Sequence, residues 1–290
     1  MSGRAAWRLY RIGGCEDTEG MEIDEAVEVA ERQVTCCRLC PRDCRVNRAA
    51  GERGYCGLDD QAHCFREMLF RGEEAELSPS HQVYFAGCNL RCEFCTDAAW
   101  NREPLNAGEV DLEWLLARID DRRRQGARNV NLLGGEPAVS LPGLLRLLSR
   151  LGRRTPVVFN SNMYYNDDVD ALLRGHMDVC LADLKCGDPR CAKAMLDASD
   201  YVDVARRNIL RAGEHSDLIV RHLILPGHTD CCLRPTLRWL AAAIPAVKLS
   251  LRTNYAPPAN AVSAPAGYPS GPEISAAIDE ARDLGLRLIE

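Results

Sequence analysis

From residue 80 the sequence repeats a two-part unit, and that repetition constrains the fold more than any other feature. Short β-rich segments at 81–85, 129–133, 156–159, 177–181, 218–224 and 247–251 alternate with amphipathic stretches at 110–125, 141–151, 167–174, 201–212 and 233–243. A strand, a helix and a further strand in series place successive strands parallel, because the crossover helix returns the chain to the same end of the sheet. Six strand–helix units therefore predict an α/β fold, a parallel sheet closed or nearly closed into a partial (β/α)6 barrel. A helix over about 272–284 and a short strand ending at Glu290 complete it, after a Pro/Ala/Gly/Ser-rich loop at 256–271.

The first eighty residues read differently. One amphipathic helix over about 21–33 precedes a cysteine-rich segment with little periodicity. The expected organisation is a small cysteine-rich metal-binding module over 1–79 and the barrel with its C-terminal extension over 80–290.

Composition narrows the setting. With 36 Lys+Arg against 42 Asp+Glu the net charge is −6, which gives no electrostatic footprint for nucleic acid. The N-terminus lacks a 7–15-residue apolar core, and no apolar run approaches the roughly 20 residues that span a bilayer. The expectation is a cytoplasmic protein without membrane or nucleic-acid partners. In a reducing compartment, 15 clustered cysteines read as metal ligands or redox groups rather than disulfides.

The cysteines fall into groups. Cys88, Cys92 and Cys95 stand at C-x3-C-x2-C spacing just after the first barrel strand. Three thiolates on a short loop can hold three irons of a [4Fe–4S] cluster and leave the fourth open to a substrate. Read alone, the spacing also fits a zinc ion completed by a distant ligand, or inert buried thiols. Cys37, Cys40, Cys44 and Cys56 form C-x2-C-x3-C-x11-C, four thiols able to close around zinc or a second iron–sulfur cluster. Cys36 is an alternative ligand there, Cys15 and Cys64 read as plain thiols, and Cys180 reads as core.

Cys186 and Cys191 follow the fourth strand, and Cys231 and Cys232 follow the fifth. Adjacent barrel strands put these loops side by side at the mouth. Three roles are open for the four thiols: an auxiliary cluster, a soft-substrate site, or a hydrogen-atom donor; ordinary packing is the alternative.

The triplet at the end of the first strand, with Phe94 before its last cysteine, resembles the signature of the radical S-adenosylmethionine (SAM) superfamily. Gly134-Gly135-Glu136-Pro137, after the second strand, is similar to the family's GGE motif, whose backbone and carboxylate receive the amino group of SAM. Glycines allow close backbone approach, and a carboxylate suits an ammonium. Within the superfamily, the segments Phe159-Asn160-Ser161-Asn162, Leu181-Ala182-Asp183-Leu184-Lys185 and 220–230 resemble pyruvate formate-lyase activating enzyme and its uncharacterised relatives. The likeness covers roughly 80–255, with each motif at the C-terminal end of its strand, where β/α barrels place chemistry. The cysteine quartet and its Gly/Pro turns resemble the segment preceding the barrel in those relatives.

The resemblance implies a radical SAM barrel in which a reduced [4Fe–4S] cluster on the triplet cleaves SAM to methionine and a 5′-deoxyadenosyl radical, which takes hydrogen from a substrate. It places Gly134, Gly135, Glu136 and Lys185, with Asn160, Asn162, Asp183 and Arg221, around the cofactor or substrate. Arg221 and His222 interrupt an apolar strand, so at least one of them must face into the barrel or pair there. A low-potential donor such as ferredoxin or flavodoxin is the implied partner. The substrate is a small molecule, a peptide or, for an activating enzyme, a partner protein that receives a glycyl radical. The chain departs from the activating enzymes in Thr96-Asp97 after the last cysteine, and 96–108 carries no further cysteine. A zinc-binding scaffold without catalysis is the reading of another class, and it gives no reason for the GGE and Asp-Leu-Lys motifs at strand ends.

Overall fold

A computed structural model describes residues 20–289; Cys15 and Glu290 lie outside them. The sheet contains β1 (His63–Phe70), β2 (Ser80–Phe85), β3 (Gly108–Glu109), β4 (Val130–Gly134), β5 (Val157–Ser161), β6 (Val179–Asp183), β7 (Asp217–Leu223), β8 (Lys248–Arg252) and β9 (Arg287–Leu288). Their order is β3-β1-β2-β4-β5-β6-β7-β8-β9. From β2 through β4 to β9 neighbours run parallel, whereas β1 is antiparallel to β2, and β3 to β1. The two edge strands do not pair with each other, so the barrel is partial, as the strand–helix alternation predicts.

The helices are α1 (Ile23–Gln33), α2 (Ala98–Arg102), α3 (Leu112–Arg124), α4 (Leu141–Leu151), α5 (Asp167–Leu173), α6 (Pro189–Leu196), α7 (Tyr201–His215), α8 (Arg234–Ala243) and α9 (Gly271–Asp283). The six predicted strands and their helices recur within a few residues. Strand β5 is buried on both faces, which is why it reads as a continuous apolar run rather than an alternating one. Along β2 the period of two separates Gln82 and Tyr84, which face the barrel cavity, from Val83 and Phe85, which are buried in the apolar core.

Two features differ from the sequence reading. Helix α6 was not expected; it starts where the Asp188 carboxylate accepts the backbone N–H groups of Arg190 and Cys191, with Pro189 at the first helical position. Residues 20–79 pack against the barrel and share its sheet and core. Strand β1 extends the barrel sheet, and α1 buries Ala26 and Ala30 against α4 in a core that runs on to Leu286. An amphipathic helix needs a surface on which to bury its stripe, and α4 offers one. The sheet therefore begins inside the segment that the cysteine pattern marks off.

Candidate active site

The C-terminal ends of the parallel strands open on one cavity of about 420 Å³. Its wall contains Cys88, Cys92 and Cys95 after β2, Gly134 and Gly135 after β4, Asn162 after β5, Asp183 and Lys185 at β6, Arg221 on β7, and Arg252, Asn254 and Tyr255 after β8. Motifs that are scattered in sequence thus share one chamber, of a size usual for small-molecule sites.

The triplet loop is built to present sulfur. Cys88 Sγ lies 3.4 Å from the Leu90 N–H and 3.7 Å from the Asn162 side-chain N–H2, and Cys95 Sγ accepts from Asn101 Nδ2 at 3.3 Å. Burial pushes the Cys88 thiol up. It also pushes Cys92 up to about 12, although Lys185 pulls the other way. Such thiols give up their protons when a metal takes their place. Between Cys92 and Cys95, the Glu93 carboxylate accepts three backbone N–H groups, from Val262, Ser263 and Ala264, at 2.7–3.0 Å. This ties the loop at 256–271 to the triplet, and Phe94 meets Tyr255 edge-on with centroids 6.2 Å apart.

The glycines of the GGE motif are required by contact. Gly134 has φ +122°, and a Cβ there would sit 2.2 Å from the Phe85 carbonyl oxygen; at Gly135 it would sit 2.0 Å from that of Gly87. The strap therefore lies directly against the triplet loop. Glu136 departs from expectation. Its carboxylate accepts the N–H groups of Ala138 (3.1 Å) and Asn162 (2.7 Å) and the Ser161 hydroxyl (2.8 Å), and it does not line the cavity. Burial pushes this carboxyl up to about 7, against those three donors. It braces the ends of β4 and β5. Asn160 is likewise buried away from the cavity wall.

Lys185 Nζ lies 2.9 Å from an Asp183 carboxylate oxygen at the cavity wall. Burial opposes its charge, yet Asp183 and the neighbouring Cys92 sulfur outweigh that and hold its pKa above the ordinary lysine value. The turn is fixed by Tyr201, whose hydroxyl donates to the Asp183 carbonyl (2.7 Å) and accepts the Lys185 N–H (3.0 Å).

Arg221 also lines the cavity, but its guanidinium is already engaged. It donates to Glu74 through Nε and Nη2, both at 2.6 Å, and to Glu73. Glu73 further accepts from Gln82 and from Asn131 Nδ2 at 3.2 Å. Arg221, expected at the cofactor or substrate, thus lines the cavity while forming a charge cluster with the buried Glu73 and Glu74. His222 faces the other way and donates from Nδ1 to the Leu184 carbonyl at 2.6 Å.

Cys37, Cys40, Cys44 and Cys56 line one small cavity of about 10 Å³ with Arg48 and Val139. The Tyr55 N–H points at Cys44 Sγ (3.3 Å), and the buried Arg48 lies 4.0 Å from Cys37 Sγ. Cys36 is exposed, Cys64 sits half-buried on β1, and Cys180 is core, with its thiol against Met163. At the mouth, Cys191, Cys231 and Cys232 gather with His228, all four ligand atoms within 4.8 Å of one another. The sequence reading missed His228, although its place three residues before Cys231 is a signal. Cys186, grouped with these thiols in the sequence reading, is not among those four ligand atoms, but its thiol donates to the Cys232 sulfur beside them. Asn101, Glu73 and Glu74 were missed as well.

The donor set fits an iron–sulfur cluster and SAM: three soft thiols on one wall, amide N–H groups aimed at sulfur, and a glycine strap leaving room that a side chain would fill. Residues 83–240 match the family model described as "Radical SAM superfamily", and the chain belongs to that superfamily. It is 33% identical over 248 residues to the uncharacterized protein MJ0674 of Methanocaldococcus jannaschii, covering 81% of this chain and 70% of that one. A 7-carboxy-7-deazaguanine synthase of Rhodospirillum rubrum is 33% identical over 162 residues, 54% of this chain and 62% of the enzyme. Among solved structures, SuiB of Streptococcus suis bound to the precursor peptide SuiA superposes with TM-score 0.53 at 14% identity, over 69% of this chain and 46% of SuiB. The chain thus spans less than half of SuiB, and at that identity the likeness is one of fold. Members of this superfamily use a [4Fe–4S] cluster with SAM. No helix among the described residues is long and apolar enough to cross a membrane.

Proposed function

We propose that the chain is an enzyme whose Cys88, Cys92 and Cys95 hold the [4Fe–4S] cluster and whose Gly134, Gly135, Asn162, Asp183 and Lys185 hold SAM, for hydrogen abstraction from a polar small molecule or peptide. One observation carries this: the triplet, the glycine strap and the lysine turn share a single 420 Å³ cavity. When bound, the pair supplies one electron and a 5′-deoxyadenosyl radical, chemistry that belongs to the cofactors.

The chain's own residues position and exclude. The glycine strap lets backbone polar groups approach the amino acid end of SAM, and Lys185, held by Asp183, offers a fixed positive charge to its carboxylate. Tyr255 and the loop tied by Glu93 keep water from the triplet. Glu73, Gln82, Tyr84, Arg252 and Asn254 line the same cavity, which suits a substrate with several hydrogen-bonding groups. The quartet Cys37, Cys40, Cys44 and Cys56 binds a second metal centre, zinc or iron–sulfur. A ferredoxin or flavodoxin supplies the electron.

Iron-reconstituted protein given dithionite and SAM without oxygen is expected to yield 5′-deoxyadenosine, and Cys92→Ala to yield none. Cleavage that persists in Cys92→Ala would refute the assignment of the triplet. Substrate-dependent stimulation, screened over metabolites, peptides and glycyl-radical partner proteins, then separates the substrate classes.

A further inference from the structure

Outside the catalytic cavity, one cluster has the composition and spacing of a closed metal site. Cys191 Sγ lies 3.6 Å from Cys231 Sγ and 3.6 Å from His228 Nδ1. His228 Nδ1 lies 3.3 Å from Cys231 Sγ and 3.9 Å from Cys232 Sγ. A tetrahedral zinc ion with bonds of about 2.3 Å to sulfur and 2.0 Å to nitrogen sets its ligands about 3.8 Å apart for two sulfurs and about 3.5 Å for sulfur and nitrogen. The one sulfur–sulfur and three sulfur–nitrogen separations lie within about 0.4 Å of those edges. A four-iron cluster would hold its thiolates farther apart.

We propose that Cys191, His228, Cys231 and Cys232 bind one structural zinc ion, distinct from the triplet and from the N-terminal quartet. The ligands come from two loops that sequence keeps apart. Cys191 stands in the first turn of α6, with its N–H already capped by Asp188 at 3.1 Å, where the helix N-terminus favours a thiolate. The other three lie on or beside the π-helical turn Thr229–Leu233 that precedes α8; such turns recur at functional sites. Three cysteines and one histidine leave no open position, which is the mark of a structural rather than a catalytic zinc.

The loops are also packed for it. A Cβ on Gly187 would lie 2.2 Å from the Cys232 carbonyl oxygen, so the turn after Lys185 fits against the π turn only because residue 187 is glycine. The ion would pin the Asp183–Lys185 turn of β6 to the loop that follows β7. It thereby holds one edge of the catalytic cavity without touching a reactant.

Zinc content measured on the full chain, together with zinc-edge X-ray absorption, tests this independently of SAM cleavage. Wild-type protein reconstituted with iron and zinc is expected to hold a zinc ion with a first shell of three sulfurs and one nitrogen. The double variant Cys191→Ser, Cys231→Ser should lose one zinc equivalent and keep the absorbance of the triplet's cluster. Cys186→Ser should keep the zinc, as should Cys40→Ser at this position. Unchanged zinc in the double variant overturns the site, and iron found there instead of zinc overturns the metal. Should the double variant not fold, the zinc-edge spectrum of Cys40→Ser, in which the N-terminal quartet is broken, decides: three sulfurs and one nitrogen support the site, and an oxygen-rich or all-sulfur first shell overturns it.

Discussion

Replacing Arg221 with Met separates two readings of this residue, as a cofactor contact and as the counter-charge of a buried cluster. The Glu73 and Glu74 side chains are 2% and 0% exposed, and Arg221 bonds to both. Without it, Glu74 keeps only Arg252 at 3.7 Å as a charged partner, and two neighbouring carboxylates face each other out of water. Removing one partner of a buried ion pair costs about 3–5 kcal/mol. The loss should depend on pH. In the wild type, burial pushes Glu74 up, but Arg221 more than offsets this and holds it down at about 2. Its contribution is then fully present above the ordinary carboxylate pKa and is lost as pH falls toward 2. Glu73 is already pushed up in the wild type by burial, with Arg221 pulling it down and the Glu74 charge pushing it further up; without Arg221 both carboxyls shift upward, so the variant loses stability as pH rises through the ordinary value. Urea denaturation followed by circular dichroism should therefore show a gap of about 3–5 kcal/mol at pH 8 that narrows markedly at pH 5. A gap below about 1 kcal/mol at pH 8, the scale of exposed pairs, would refute the buried-cluster reading, as would one that does not shrink on acidification.

Further perturbations address the cavity wall. Glu93→Ala removes the acceptor of three backbone N–H groups; amide hydrogen exchange across 256–271 should speed up while the barrel strands keep their protection. Burial pushes the Glu93 carboxyl up, but the three backbone donors together outweigh it and hold the group low, so wild-type protection of this loop should persist above pH 4.5 and fade as pH drops below it. Gly135→Ala puts a Cβ 2.0 Å from a backbone oxygen of the triplet loop and should cost about 1–3 kcal/mol along with iron content, read by iron assay; Gly267→Ala, with open space around it, should change neither.

Much of the barrel was legible because its strands are short runs of β-branched and leucine residues, and because each motif falls where a strand ends. What escaped depends on partners distant in sequence. Nothing around Arg221 announces Glu74, 147 positions away. The GGE carboxylate read as a ligand for an ammonium because the donors that occupy it, at 161 and 162, meet it only once β5 pairs with β4. His228 becomes a candidate ligand only when α6 brings Cys191 beside it, and α6 itself was hidden in a short stretch between two turns. Strand β1 was missed because His63-Cys64-Phe65-Arg66-Glu67 mixes polar and apolar residues. The alternation makes sense only for a strand with one face against β2's neighbours and Glu67 turned to Arg118 and Arg122.

The cysteine-rich first segment also belongs to the catalytic wall, and the backbone polarity of the triplet loop shows why. Arg42 Nε donates to the Asn89 carbonyl at 2.9 Å, and Arg91 Nη1 donates to the carbonyls of Cys88 (2.9 Å) and Leu90 (3.1 Å). Both guanidiniums stack on Tyr55, at 3.8 and 4.2 Å from its ring centroid, and Arg91 also donates to the Tyr55 carbonyl. Tyr55 lies directly between Gly54, which is pressed against Cys44, and Cys56 of the quartet. With these carbonyls held by guanidiniums, the Leu90 N–H of the same loop is directed at Cys88 Sγ (3.4 Å), the polarity that anionic sulfur requires. From the connection between β1 and β2, Glu73 lines the cavity and Glu74, fully buried, ties Arg221 of its wall. A barrel cut at residue 80 would keep the triplet, GGE and Asp-Leu-Lys motifs and lose Glu73 from its cavity lining together with Arg42 and Tyr55, which steady its cysteine loop.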